Sequence, residues 1–439
     1  MSTTIAFCKI PLSLSQLSLA AVLQCGQSFR WSIFPLAASE GQEEAAQLGQ
    51  PSHEYRLCLR DRVICLRQSQ EALLWNAVFP NPPTSTEETA RRDAETIEWI
   101  NDYFQLDIDL QELYRTWSER DPIFNGLQER FSGIRILRQD PWENLISFIC
   151  SSNNNISRIS KMVKSLCANY SPFLLALLPP SGSGEPEPYH PFPPPSVLAA
   201  SEVATKLRTL GFGYRADFIQ KTAKMLVERN FEPSSSKLPS AFYVGQEPAE
   251  VWLAGLRNEQ TAVAREELTK LMGVGRKVAD CVLLMSLDKR EVVPVDTHVH
   301  QIAHKHYGVK MPSAKGGKIP MTPKLYEEVA TKLADVWGDY AGWAHSVLFT
   351  SDLKSFADYG TEKQTPVNGT GLLTPEDTPE PTPTTKRKRG GAKVEVKVET
   401  TDSSQQIVFA TAIVEETYDD GSSTLTLAER VKRRRRTKT

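Results

Sequence analysis

Four absences narrow the field before any motif is read. No stretch approaches the ~20 consecutive apolar residues that a membrane-crossing helix requires, so no span is expected. The N-terminus lacks the charged-then-apolar layout of a secretory signal, and arginine is scarce before Arg30, which argues against a mitochondrial transit peptide. No excess of one charge exists: the net value is −2, so any surface for a polyanion must be local rather than global. Cysteines are few, with seven scattered from Cys8 to Cys281 at no zinc-like spacing. That pattern excludes a disulfide framework and fits a reducing compartment.

What is present fits an α+β chain. With 439 residues and 40% hydrophobic content it can hold two or three domains. Strand-like alternation runs to about Trp75, in QSFRWSIF and in HEYRLCLRDRVICLR, on either side of a low-complexity loop from Ala37 to Ser52. Helical patterns take over near Thr86 and persist to about Phe356. We expect an antiparallel β-rich domain over 1–130, a mostly helical domain over 131–358, and a disordered tail over 359–439. The Pro/Gly/Ser segment 179–195 reads as a flexible surface insertion.

The chemistry concentrates between Leu271 and His298, in LMGVGRKVADCVLLMSLDKREVVPVDTH. Thr261–Leu271 reads as a helix, Gly273-Val274-Gly275 as a tight turn, and Arg276–Leu287 as a second helix. A glycine turn opening a helix offers unpaired N–H groups and a positive dipole end to an anion such as a DNA phosphate. An ordinary αα-hairpin fits the same residues. Lys277 and Cys281, four apart, share a helix face. A lysine in the first turn is disfavoured as a cation by the dipole and by partial burial, which favours the nucleophilic amine. Asp296, behind an extended VVPV, stands where an N-cap belongs, and capping would orient its carboxylate rather than hide it.

These residues closely resemble the lysine-bearing helix-hairpin-helix DNA glycosylases, the eukaryotic 8-oxoguanine DNA glycosylase family. Three further stretches carry the same resemblance: Gly26-Gln27-Ser28-Phe29-Arg30-Trp31, SFICSSNNNISRI from Ser147 to Ile159, and AGWAHSVLF from Ala341 to Phe349. It covers roughly residues 5–356. The resemblance implies that Lys277 attacks C1′ of the damaged nucleotide and that Asp296 stabilises positive charge and assists proton transfers. It implies that Gly26 offers its carbonyl to the N7–H of 8-oxoguanine, and that Cys281 and Phe349 sandwich the flipped base. Asn153, Arg158 and Arg215 would hold the orphaned cytosine, Tyr214 would wedge into the stack, Gly273 and Gly275 would meet the backbone, and His298 would touch a phosphate. The implied partner is double-stranded DNA carrying oxidised guanine, bound by a monomer. No metal or redox cofactor is called for, because an imine supplies the electron sink. The lack of cysteine after Cys281 sets the chain apart from relatives with a C-terminal iron–sulfur loop.

One position departs from the family pattern. His345 stands where glutamine reads the base edge, and an imidazole lacks the paired donor and acceptor of an amide. The same chemistry on other oxidised or ring-opened purines therefore stays open, as does a non-catalytic DNA-binding module. In the tail, Lys386–Arg389 and Lys432–Arg436 are basic clusters suited to an import receptor or to non-specific DNA contact. They point to the nucleus, with a mitochondrial pool left open.

Overall fold

The apolar alternation between His53 and Arg67 becomes two strands of one antiparallel sheet, as a period of two requires. The computed structural model describes residues 6–36, 50–229, 245–310 and 321–361. The sheet runs in the order β1-β5-β4-β3-β2. Its strands are β1 (Cys8–Pro11), β2 (Ser32–Pro35), β3 (His53–Cys58), β4 (Val63–Gln68) and β5 (Ala72–Val78). Tyr55 pairs with Leu66 and Leu57 with Ile64. These four side chains enter the main core, whereas Cys58, Val63 and Cys65 join a separate cluster.

That second cluster shows where the segment 179–195 is seated. The segment is the turn and return arm of a hairpin in which β6 (Leu175–Leu177) pairs with β7 (Glu187–Tyr189). Leu175 and Tyr189 pack with Cys58, Val63 and Cys65. Arg56 donates to the Leu178 carbonyl at 2.7 Å, and Trp142 Nε1 to that of Pro193 at 2.9 Å. Burial explains the order: covering a large apolar side chain contributes ~1.5–3 kcal/mol, which a short Pro-rich arm gains only by docking.

After a short helix at Leu19–Val22, helices dominate from Thr86, and several carry side-chain N-caps. Asp140 accepts from Glu143 N at 2.9 Å ahead of Pro141–Ser151, and Asn155 accepts from Arg158 N at 2.9 Å ahead of Ile156–Tyr170. They build two cores. One unites the sheet with Ile100–Leu137 and with the helices Thr297–Tyr307, Pro323–Trp337 and Ala341–Asp352. The other fills the helices between Pro141–Ser151 and Arg276–Ser286. The core thus does not divide at the expected 130/131 boundary, because the chain returns after Leu284 to pack with its own N-terminal sheet. Met285 touches both clusters and marks their seam.

Gly342 sets how closely the Ala341–Asp352 helix approaches that seam. A Cβ there would lie 2.3 Å from the Val292 carbonyl oxygen, so no larger residue fits without moving the helix. No helix among the described residues is long and apolar enough to cross a membrane. The loop 37–49 and the tail 362–439, with the clusters Lys386–Arg389 and Lys432–Arg436, lie outside the described residues.

Candidate active site

The glycine turn is built as its sequence requires. Gly273 has φ +78°, and a Cβ there would fall 2.6 Å from the ring of Phe218. Gly275 precedes the Arg276–Ser286 helix with no side chain to cap it, and a Cβ there would meet nothing within 4 Å. Packing therefore demands the first glycine, whereas the second leaves open space in front of the unpaired helix N–H groups. Gly273→Ala combines a strained φ with a clash and should cost ~2–4 kcal/mol in denaturant unfolding. A loss below about 0.5 kcal/mol, the range of a neutral surface change, would show that the turn is more pliable than this.

Lys277 lies in the first turn of that helix, half-buried, with Nζ 5.0 Å from the Phe148 ring centroid. The extended 292–295 segment brings Asp296 back to the same place, where Oδ1 accepts from His298 N at 2.9 Å and from Val299 N at 3.1 Å. The carboxylate is an N-cap and lines a pocket as well. That pocket lies at the seam of the two cores and collects Gly26, Phe148, Lys277, Cys281, Asp296, His345 and Phe349. Six of these seven are residues that the sequence proposed.

Electrostatics sort their roles. Burial pushes the Cys281 thiol up to about 11, with Asp296 adding to the shift and Lys277 opposing it. It stays protonated near neutrality and does not compete as a nucleophile. Burial pushes the His345 imidazole down to about 4, opposed by Asp296 and helped by Lys277. His345 is 7% exposed, and neither ring nitrogen has a partner. Gly26, at φ +89°, turns through the pocket wall, and its carbonyl accepts no hydrogen bond from the described residues. Gln27 anchors that turn: Nε2 donates to the Arg135 carbonyl at 3.0 Å, and Oε1 accepts from Leu137 N at 3.0 Å.

A second group of predicted residues surrounds the 151–155 turn. Asn153 is exposed at φ +48°, and Tyr214 is 49% exposed with its hydroxyl donating to the Ser152 carbonyl at 3.0 Å. Exposed Arg158 donates to the Gly211 carbonyl at 3.2 Å. Arg215 is buried beneath the same turn. It is 3% exposed, and its guanidinium donates to the carbonyls of Ser152 and Asn153, each at 3.0 Å. In this structure it braces the turn that presents Asn153. Contacts link the turn to the pocket, since a Cβ on Gly26 would sit 3.0 Å from Ile156 and Tyr214 packs edge-on to Phe218 beneath Gly273. His298 is exposed, 3.7 Å from Asp352 Oδ2 and edge-on to Phe349.

Sequence reasoning missed Phe148, whose ring faces the Lys277 amine, although it lay inside a motif already singled out. Nothing in PWENLISFICS tells which apolar residue faces the lysine, because every residue of the run except Glu143 and Ser151 is buried. It also missed Asp280 and Tyr326, which reach each other across 46 residues.

A pocket beside a glycine hairpin, with an amine and a carboxylate in its wall, is the arrangement expected of a helix-hairpin-helix base-excision glycosylase. Comparison agrees: the profile of the 8-oxoguanine DNA glycosylase N-terminal domain matches residues 9–145, and that of the HhH-GPD superfamily of base excision DNA repair proteins matches 146–317. The N-glycosylase/DNA lyase of Saccharomyces cerevisiae is 36% identical over 369 residues, covering 79% of this chain and 86% of its own. The Arabidopsis thaliana N-glycosylase/DNA lyase OGG1 is 34% identical over 345 residues, covering 78% and 80%. Among solved structures, the Clostridium acetobutylicum 8-oxoguanine glycosylase/lyase bound to double-stranded DNA shares the fold, with a TM-score of 0.55 at 24% identity over 79% of this chain and 96% of that one. The chain belongs to the 8-oxoguanine DNA glycosylase family of N-glycosylase/DNA lyases. It is a DNA-binding enzyme of base excision repair, with glycosylase and lyase activities.

Proposed function

We propose that the enzyme excises 8-oxoguanine paired with cytosine through a Schiff base on Lys277 and then nicks the strand by β-elimination. The observation that carries this reading is the convergence of Lys277 and Asp296 in one pocket with Gly26, Cys281, His345 and Phe349. The Lys277 amine, once it has given up a proton, attacks C1′, and the bond from C1′ to the base breaks, with the base leaving on the electron pair. Opening the sugar's C1′–O4′ bond gives an iminium. Loss of the C2′ proton then expels the 3′ phosphate oxygen, and water hydrolyses the imine to regenerate Lys277. Asp296 stabilises the positive charge that grows on the sugar and relays protons. The iminium is the electron sink, so the residues in the pocket suffice for each step.

Base choice follows from hydrogen-bond arithmetic. The Gly26 carbonyl would pair with the N7–H of 8-oxoguanine but face the N7 lone pair of guanine. An unmet buried acceptor costs ~1–3 kcal/mol, roughly 5- to 150-fold in discrimination. That is too little alone, so a difference in the cost of extrusion must supply the rest against guanine, while contacts around Asn153, Arg158 and Tyr214 serve to choose cytosine over adenine as the opposite base. Single-turnover excision from duplexes carrying 8-oxoguanine opposite cytosine or adenine, ring-opened guanine, or undamaged guanine tests this. The reading requires the cytosine-paired 8-oxoguanine to be fastest; equal rates across the set would contradict it.

His345 favours a second substrate, since two unpartnered nitrogens in a buried wall fit ring-opened purines as well as the intact ring. His345→Gln should raise kcat/KM for 8-oxoguanine relative to ring-opened guanine by roughly tenfold, the scale of one well-made hydrogen bond. Because burial holds the imidazole near 4, the wild-type ratio should stay flat from pH 8 down to about 5 and change only as the ring gains its proton below that. An unchanged ratio in the variant would remove His345 from base selection.

A further inference from the structure

Lys277 and Asp296 sit on separate elements, and among the described residues no backbone hydrogen bond joins the Lys277 helix to the segment that carries Asp296. What joins them is a buried carboxylate and a phenol. Asp280, 1% exposed and on the Lys277 helix, accepts from Arg265 Nε at 2.6 Å, from Arg276 Nε at 2.9 Å and from the Tyr326 hydroxyl at 2.8 Å. That hydroxyl accepts in turn from the backbone N–H of Val295, the residue before Asp296, at 3.0 Å. Arg276, beside Lys277, also pairs with Glu327 at 3.0 Å and lies 4.9 Å from the Tyr326 ring centroid. The helix Pro323–Trp337 thus grips the first turn that carries the amine and the extended segment that carries the carboxylate.

We infer that Asp280 and Tyr326 form a positioning strut that sets the Lys277–Asp296 geometry, with the Tyr326 hydroxyl as its single joint. The inference rests on the catalytic reading of Lys277 and Asp296 given above. Its chemistry is consistent along the chain of contacts. Burial and the adjacent Asp280 hold the Tyr326 hydroxyl well above the usual phenol range, so it keeps its proton and donates to Asp280 while accepting from Val295. Asp280, with two arginines and a phenol on its two oxygens, is a buried carboxylate group whose acceptors are met. Neither residue lines the pocket, so neither touches substrate.

Tyr326→Phe removes only the joint. A displacement of about 1 Å between reacting groups costs on the order of 10²-fold in rate, so single-turnover base excision should fall roughly 10- to 100-fold while duplex Kd is unchanged. Tyr307→Phe is the control. It deletes another tyrosine-to-aspartate hydrogen bond, from Tyr307 to Asp121 Oδ2 at 2.7 Å, at the opposite end of the Asp296-capped helix. Both variants and Lys277→Gln are assayed on one 8-oxoguanine duplex, at a temperature where circular dichroism shows each fully folded. A slow Tyr326→Phe with a near-wild-type Tyr307→Phe supports the strut. Equal rates for the two tyrosine variants, with excision still lost in Lys277→Gln, overturn the strut alone. Excision surviving in Lys277→Gln overturns the nucleophile assignment and the strut with it.

Discussion

Lys277→Gln binds a damaged duplex as wild type does but neither releases the base nor cuts the strand. Glutamine approximates the length and polarity of lysine, so the pocket between Phe148, Cys281 and Asp296 should stay filled. What it lacks is an amine able to form an imine. Duplex affinity should persist, because the hairpin N–H groups and the exposed Asn153, Arg158 and Tyr214 lie outside the substitution. Excision under saturating enzyme should fall by roughly 10³-fold or more, the scale on which loss of a nucleophile abolishes a covalent route. Scission at the wild-type rate would show that another group attacks the sugar. Cys281 is a poor substitute, since burial keeps it a thiol with a value of about 11.

Asp296→Asn separates two roles that one carboxylate holds. As an N-cap, asparagine is about as good as aspartate, and its carbonyl oxygen can keep the bonds from His298 N and Val299 N. Thermal stability should therefore stay close to wild type. As a negative charge facing a cationic transition state, asparagine fails. Excision should slow by roughly 10²- to 10⁴-fold with duplex affinity retained, a loss typical of removing a positioned acid–base group. Equal single-turnover rates in the two proteins would reduce Asp296 to a helix cap.

Local chemistry was legible and non-local pairing was not. Gly273 needs positive φ, Asp296 needs the N-cap position, and Lys277 with Cys281 need only helical spacing, so each could be read within a few residues. The strands of HEYRLCLRDRVICLR followed from their alternation in the same way. The β6–β7 hairpin escaped because its three-residue arms are too short for a pattern and its Pro/Gly/Ser composition signals only turns. Arg215 could be placed near the 151–155 turn by resemblance, yet its pairing with carbonyls 62 and 63 residues away depends on packing that no local rule contains. The same holds for Tyr326, which reaches Asp280 across 46 residues and Val295 across 31. His345 was visible as a departure from pattern; its burial and its lack of partners were not.

The most direct test of the central claim is borohydride trapping on a labelled duplex carrying 8-oxoguanine opposite cytosine. Reduction of an imine would leave a stable covalent adduct between enzyme and DNA. The account predicts an adduct with wild-type protein on the damaged duplex, and none on undamaged DNA or with Lys277→Gln. A wild-type adduct that persists in Lys277→Gln, or no adduct despite base release, would contradict a Lys277 Schiff base.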